Sequence, residues 1–372
     1  MKVAITHDWL NQKVGGGENV VFELAKLYPN ADIFTLVYNP KKFDKLLPNR
    51  RITKSYLQHF PSIVKKHPKL LLPFIKSAIG QWSFDDYDVV ISTSSAWSKN
   101  INFKEPTKHI CYCFSPARML WDSWPGYLTD QKLGPIINFY IIRLVSKLRL
   151  WDYYRAQNGT QFIAISGYIA TRIKKFYRRG SKVVYPPVEL TKYIGLKTKK
   201  EDYYLVLSVL AKYKNIELAI RGFMASGRKL VIAGDGPDSA RLRGIAEDAD
   251  NISFTGRISD ADKISLLAGA RGFVFCSIED FGITMVESIA AGTGVIALKG
   301  GGADEIVKSG QTGLFYDTAN EESLNRAIVN YEKTFLAGKP INNSYVFEKF
   351  DTKIFRDNIT SIVNSIYSGD KK

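Results

Sequence analysis

Residues 276–292 read CSIEDFGITMVESIAAG: an apolar run over 272–276 passes through a glycine and enters an apolar helical pattern continuing to Ala291. A strand that turns directly into a helix is half of a βαβ unit, so this stretch predicts a parallel sheet covered by helices. Glu279 and Glu287 stand eight residues apart around the expected helix start. Gly282 lets a ligand approach the backbone, and the first-turn N–H groups near Gly282, Ile283 and Thr284 favour an anion or sugar hydroxyls. Glu287, about two turns into the helix, suits a bidentate grip on a ribose diol. Two glutamates on a helix are by themselves more often a solvated face, so the context must carry the reading.

The same rhythm fills the chain. In the first half, strand-like runs at 3–6, 33–37, 89–92, 109–112 and 162–166 alternate with helical patterns such as 18–27. In the second half, runs at 204–208, 230–233, 252–254, 272–276, 295–297 and 314–316 alternate with helices at 216–225 and 286–291. At 372 residues the chain suits two domains, each burying its own sheet. Ser166 is positioned to cap a helix running to about Arg178, and Arg179-Gly180 is expected to end it before an extended Pro-rich link. The expected domains are therefore 1–178 and 179–349. Ligands of such sheets bind beyond the carboxyl ends of the strands.

Composition narrows the classes. With 45% hydrophobic and 24% charged residues the chain reads as folded throughout. The opening lacks the apolar stretch of a secretory signal, and the apolar 133–151 segment is broken by Arg143, Lys147 and Arg149, predicting an amphipathic helix instead of a membrane span. Cys111, Cys113 and Cys276 lack paired metal spacing and read as buried reduced thiols, with no metal required. Net charge is +16: residues 1–178 hold 26 Lys/Arg against 12 Asp/Glu, and 179–372 hold 26 against 24. The basic half attracts polyanions. In its 50–76 segment, Arg50, Arg51, Lys54, Lys65, Lys66, Lys69 and Lys76 are interleaved with aromatic and aliphatic residues. That pattern favours an anionic inner-membrane surface over nucleic acid.

The E-x7-E spacing with Gly292, Gly294 and 300–305 (GGGADE), joined in order by 233–237 (AGDGP), 254–258 (FTGRI) and 313–315 (GLF), resembles family 4 of the retaining GT-B glycosyltransferases. In the first half, 6–10 (THDWL), 15–18 (GGGE), 87–92 (YDVVIS) and 113–122 (CFSPARMLWD) resemble its bacterial mannosyltransferase-like branch, used in surface-polysaccharide (O-antigen and capsule) assembly. The resemblance covers nearly the whole chain. It implies an α/β GT-B fold, two facing Rossmann-like domains with a central cleft, donor bound by the second and acceptor by the first. It also implies that a C-terminal helix, about 350–372, crosses back onto the first domain.

By that resemblance Glu279 contacts the donor hexose, the backbone of Phe281, Gly282, Ile283 and Thr284 contacts sugar and phosphate, Glu287 holds the ribose, and Gly256, Arg257 and Ile258 face the base. Lys214 matches the lysine that neutralises the diphosphate, which suits a leaving group stabilised without a metal. Two positions depart from the pattern. Val209 stands where the family has an arginine, so either Lys212 or another basic residue substitutes or diphosphate binding is weakened, and Phe114 stands where this branch has a histidine. The loop of Gly15, Gly16 and Gly17 is expected near the diphosphate or acceptor. Asp8, Arg118 and Asp122 are expected acceptor contacts, whereas His7 and His109 read as structural.

The expected activity is a retaining, metal-independent hexosyl transfer from a nucleotide-sugar, GDP-mannose favoured, to a polyprenyl-diphosphate-linked oligosaccharide. The expected location is cytoplasmic, peripheral to the inner face of the cytoplasmic membrane. Two rivals are a sugar-nucleotide epimerase of similar fold, and a non-enzymatic module binding acidic lipid or nucleic acid. Linkage and oligomeric state are open.

Overall fold

β1 (Val3–His7) is buried at all five positions, as a strand covered on both faces must be, and its Val-Ala-Ile run supplies no polar alternation. In the computed structural model, which describes residues 1–11, 15–66, 68–122, 135–196, 199–336 and 338–368, it is an interior strand, third of seven, in a parallel sheet. The other strands are β2 (Asp32–Thr35), β3 (Ile52–Lys54), β4 (Val89–Ser94), β5 (Lys108–Cys113), β6 (Gln161–Ala164) and β7 (Ser181–Val183), in the order β3-β2-β1-β4-β5-β6-β7. The helices used below are α1 (Gly16–Leu27), α2 (Ile75–Gly80), α3 (Pro135–Gln157) and α4 (Gly167–Tyr177).

A second parallel sheet runs β10-β9-β8-β11-β12-β13, from β8 (Tyr204–Leu207), β9 (Leu230–Ala233), β10 (Ile252–Gly256), β11 (Gly272–Phe275), β12 (Val295–Leu298) and β13 (Gly313–Tyr316). Its helices include α5 (Ile216–Ser226), α6 (Asp260–Gly269) and α7 (Ile283–Ala290). In each sheet the strand order reverses once, between β1 and β4 and between β8 and β11, which is where a doubly wound sheet opens a crevice for a ligand.

The first unit comprises Met1–Pro187 with Phe355–Lys372, and the second Val188–Ile354. The first runs past residue 178 because β7 pairs with β6 through Phe162 and Ser181. Ser166 caps α4 by accepting from the Ile169 N–H at 3.1 Å, but the helix stops at Tyr177, with Arg178 in the left-handed region. The last helix, α8 (Thr352–Ser368), places Phe355 edge-on to Tyr112 at 5.6 Å and Arg356 Nε 2.7 Å from Glu23 in the first unit. β3 and β7, three residues each, lack the long apolar runs that mark the interior strands.

One buried network sets the rotation of α3. Asp152 accepts from Lys99 Nζ at 2.5 Å, Asn100 Nδ2 at 3.0 Å, Trp121 Nε1 at 2.9 Å and the Tyr177 hydroxyl at 2.8 Å. Lys99 also sits 4.6 Å from the Tyr177 ring centroid. A buried carboxylate with four donors turns that face of α3 inward, and the opposite face necessarily outward. Among the described residues no helix is long and apolar enough to cross a membrane.

Candidate functional site

In the second unit the loops leaving β8, β11 and β12 converge at the switch point. Lys214, in a single 3-10 turn (Lys212–Lys214) after β8, and Glu279, four residues after β11, form an ion pair through Lys214 Nζ and Glu279 Oε1, to which Ser277 Oγ also donates at 2.9 Å. Both side chains are mostly buried, so the pair is poorly screened and its geometry is tightly held.

The loop after β12 lies directly on this segment. The Gly302 N–H donates to the Glu279 carbonyl at 2.8 Å, and a Cβ on Gly302 would meet the Phe281 carbonyl oxygen at 2.1 Å. Only glycine permits that approach. The Phe281 ring is turned into the core, edge-on to Phe350 at 5.6 Å, so only its backbone can serve a ligand. Gly282 follows with φ 111°, and α7 begins at Ile283. The first-turn N–H groups of α7 point out of the helix N-terminus, where its dipole favours negative charge.

Glu287 is the fifth residue of α7, just over one turn in and nearer the helix start than the expected two turns. It is buried, and Lys263 on α6 donates to its Oε1 at 2.7 Å. The Tyr193 hydroxyl is buried beside it, and burial first, then the charge of Glu287, push the phenol well above its usual range. Lys263, Tyr193 and Ser277 were absent from the residues singled out in the sequence. Lys263 and Tyr193 come from elements 24 and 94 positions from Glu287, with no motif linking them.

Gly256, Arg257 and Ile258 stand at the carboxyl end of β10, with Gly256 at φ 70°. The Gly256 carbonyl accepts from Gly234 at 2.8 Å, Arg257 is 3.6 Å from Asp235, and the Leu210 N–H donates to the Asp235 carbonyl at 3.3 Å. The carboxyl-end loops of β8, β9 and β10 are thereby joined in a row. Lys212 is exposed and its charge helps to hold the Asp238 carboxyl below the usual range, after the larger effect of Arg241. Val209 is exposed on the same loop.

The first-unit candidates form their own group at the ends of β1, β4 and β5. The Gly15 N–H donates to Glu18 at 2.9 Å as α1 begins, and a Cβ on Gly17 would lie 3.6 Å from the Phe114 ring. The Phe114 ring is edge-on to His7, with centroids 6.4 Å apart, and His7 Nδ1 is 2.8 Å from Thr93 Oγ1.

Asp8 corrects the expectation of an acceptor contact. It is 1% exposed, and its two oxygens accept from Ser95 N–H and hydroxyl, Ala96, Trp97 and Ser98 at 2.6–2.9 Å, so it clamps the loop after β4. Asp122 pairs with Arg172 of α4, and Trp121 stacks on Phe176 at 5.3 Å, while Arg118 is exposed on the short helix Arg118–Trp121. His109 is buried between Ser92 and Thr160 at 2.9 Å each, and burial with the nearby Lys99 charge lowers it to about 3, which keeps it neutral. The three cysteines are buried thiols, and among the described residues no cluster of His, Cys, Asp and Glu is arranged to hold a metal.

Residues 189–334 match the family model described as glycosyl transferases group 1. A GDP-mannose-dependent alpha-(1-6)-phosphatidylinositol monomannoside mannosyltransferase of Mycobacterium tuberculosis is 38% identical over 103 residues, covering 24% of this chain and 26% of the relative. The alpha-1,3/1,6-mannosyltransferase ALG2 of Dictyostelium discoideum is 22% identical, with 98% of both chains covered. Among solved structures, Anabaena Alr3699/HepE in complex with UDP and glucose superposes with a TM-score of 0.68 at 17% identity, covering 97% of this chain and 99% of that one. The fold is GT-B.

Proposed function

We propose that this chain, whose second unit carries a glycosyl transferases group 1 domain on a GT-B fold, is a retaining glycosyltransferase that moves a hexose, mannose favoured, from a nucleotide-sugar to a lipid-linked saccharide. The observation that carries the reading is the Lys214–Glu279 pair at the β8/β11 switch point, under the glycine loop that packs on Glu279 and Phe281.

Each group has a task matched to its chemistry. Lys214 and the first-turn N–H groups of α7 offset the charge that develops on the diphosphate as the sugar C1–O bond breaks. Glu279 accepts hydrogen bonds from the hexose hydroxyls, and Glu287, oriented by Lys263, accepts from the ribose diol. The new bond joins C1 to the acceptor oxygen on the same face, and the acceptor proton passes to the departing phosphate oxygen. No residue is asked to act as a covalent nucleophile, and no metal is invoked.

Mannose draws support from the names of the mycobacterial and Dictyostelium relatives, and a GDP carrier and a lipid-linked acceptor from the name of the first alone. The basic first half suits a substrate held at an anionic membrane, which would put the protein on the cytoplasmic side of that membrane.

A thermal-shift panel of GDP, UDP, dTDP and ADP with their hexose conjugates, with and without EDTA, tests this on the native chain and Glu287→Ala. One nucleotide should stabilise the native chain regardless of EDTA and fail to stabilise the variant. No shift with any of them would overturn the donor reading.

A further inference from the structure

The first unit carries a groove between α2 and α3 that the proposed chemistry does not use. Two adjoining cavities of about 460 and 360 Å3 share Lys76, Trp151 and Arg155 in their walls, within the size range of small-ligand sites. Along α3 the wall is built from Lys147, Leu150, Trp151, Tyr154 and Arg155, whose spacing of three and four residues makes one stripe of the helix. Asp152, fixed on the inward face by Lys99 and Tyr177, holds that stripe outward, and Leu150 and Tyr154 are 58% and 66% exposed.

The charge here is one-sided. No Asp or Glu occurs between Asp44 and Asp85, and the only acid of α3 is Asp152, which is buried. Lys76, Lys147 and Arg155 therefore face the groove with no exposed carboxylate from either helix. Around them Phe74 and Tyr140 are exposed, so apolar bodies and cationic heads alternate on one face. Cations bind headgroup phosphates, while aromatic and aliphatic bodies settle at the acyl boundary. A nucleic-acid surface would have no use for the exposed Leu150.

We propose that this groove docks the chain on an anionic lipid bilayer, with a headgroup phosphate seated among Lys76, Lys147 and Arg155 and with Leu150, Trp151 and Tyr154 at the acyl boundary. The proposal rests on the lipid-linked acceptor for its purpose, and on charge and shape for its location. It brings the chain to the plane in which such an acceptor lies.

The test is co-sedimentation of the full chain with phosphatidylglycerol–phosphatidylcholine vesicles and with phosphatidylcholine alone. The native chain should bind the anionic vesicles selectively. Lys76→Gln/Lys147→Gln should weaken that binding by about fivefold per charge removed, roughly 25-fold together. Lys41→Gln/Lys42→Gln, an equal charge loss on another exposed turn of the same unit, should leave it near native.

Three results would overturn the proposal: no preference for anionic vesicles, equal losses in the two double variants, or capture of duplex DNA without capture of vesicles. Nucleotide-dependent melting is read in parallel on every variant, where it also reports folding. Vesicle binding without a nucleotide shift sinks the donor reading and leaves the docking face. A nucleotide shift without vesicle binding does the reverse.

Discussion

Gly302→Ala isolates the role of the glycine loop. Gly302 has φ −66°, which alanine adopts freely, so the backbone conformation adds no strain. Its new Cβ would instead lie 2.1 Å from the Phe281 oxygen and 2.4 Å from the Phe281 Cα, where real contacts essentially never fall below 3.0 Å. Relieving the shorter contact from 2.1 to 3.0 Å moves the loop and the Glu279–Phe281 segment apart by about 0.9 Å. A displacement near 1 Å at a positioning element costs about 100-fold in rate. Overpacking of this kind costs about 1–3 kcal/mol, a fall in melting temperature of roughly 3–10 °C. The assay is initial rate of sugar transfer on protein shown to be folded by its thermal melt. Gly292→Ala is the control, because Gly292 has φ 76° with nothing within 4 Å of the added atom. It should lose about 1–2 kcal/mol through strain and keep its rate. A folded Gly302→Ala with native turnover, or a Gly292→Ala that loses as much, refutes the reasoning.

Lys214→Met should lower kcat by about 100- to 1,000-fold, the usual loss when one preorganised charge-stabilising donor is removed, and single-turnover kinetics with the donor will check it. Asp152→Ala strands buried Lys99 without its counter-ion and should cost about 3–5 kcal/mol, read as a lower urea midpoint with unchanged slope. His109 sets a pH window. Its folded value of about 3 lies below the unfolded value near 6.5, so the unfolded chain binds the extra proton between them. Its contribution is fully present above about pH 6.5 and falls as pH drops toward 3, by about 1.4 kcal/mol per unit. Urea titrations across that range should show this slope in the native chain and lose it in His109→Gln.

Much of this molecule is local enough to be legible in one dimension. The strands around β1, β4, β8 and β11 are buried on both faces, so their sequences are continuous apolar runs, and the turn through Gly282 into α7 carries its own punctuation. Glu279 and Glu287 were visible for the same reason, since both lie within one strand-turn-helix unit. The edge strands β3 and β7 were not, because three residues at a sheet edge leave little periodicity. Asp8 reads in the sequence as an acceptor contact, and only the chain returning at residues 95–98 satisfies it with five donors. Lys263 and Tyr193 reach Glu287 from distant elements, and Lys99 reaches Asp152 across 53 positions. The order and type of elements follow from short-range hydrophobic pattern and turn chemistry, which the sequence states residue by residue. Which buried charge meets which partner, and hence which carboxylates are held for a ligand and which are consumed by the scaffold, depends on long-range register that exists only once both sheets are closed.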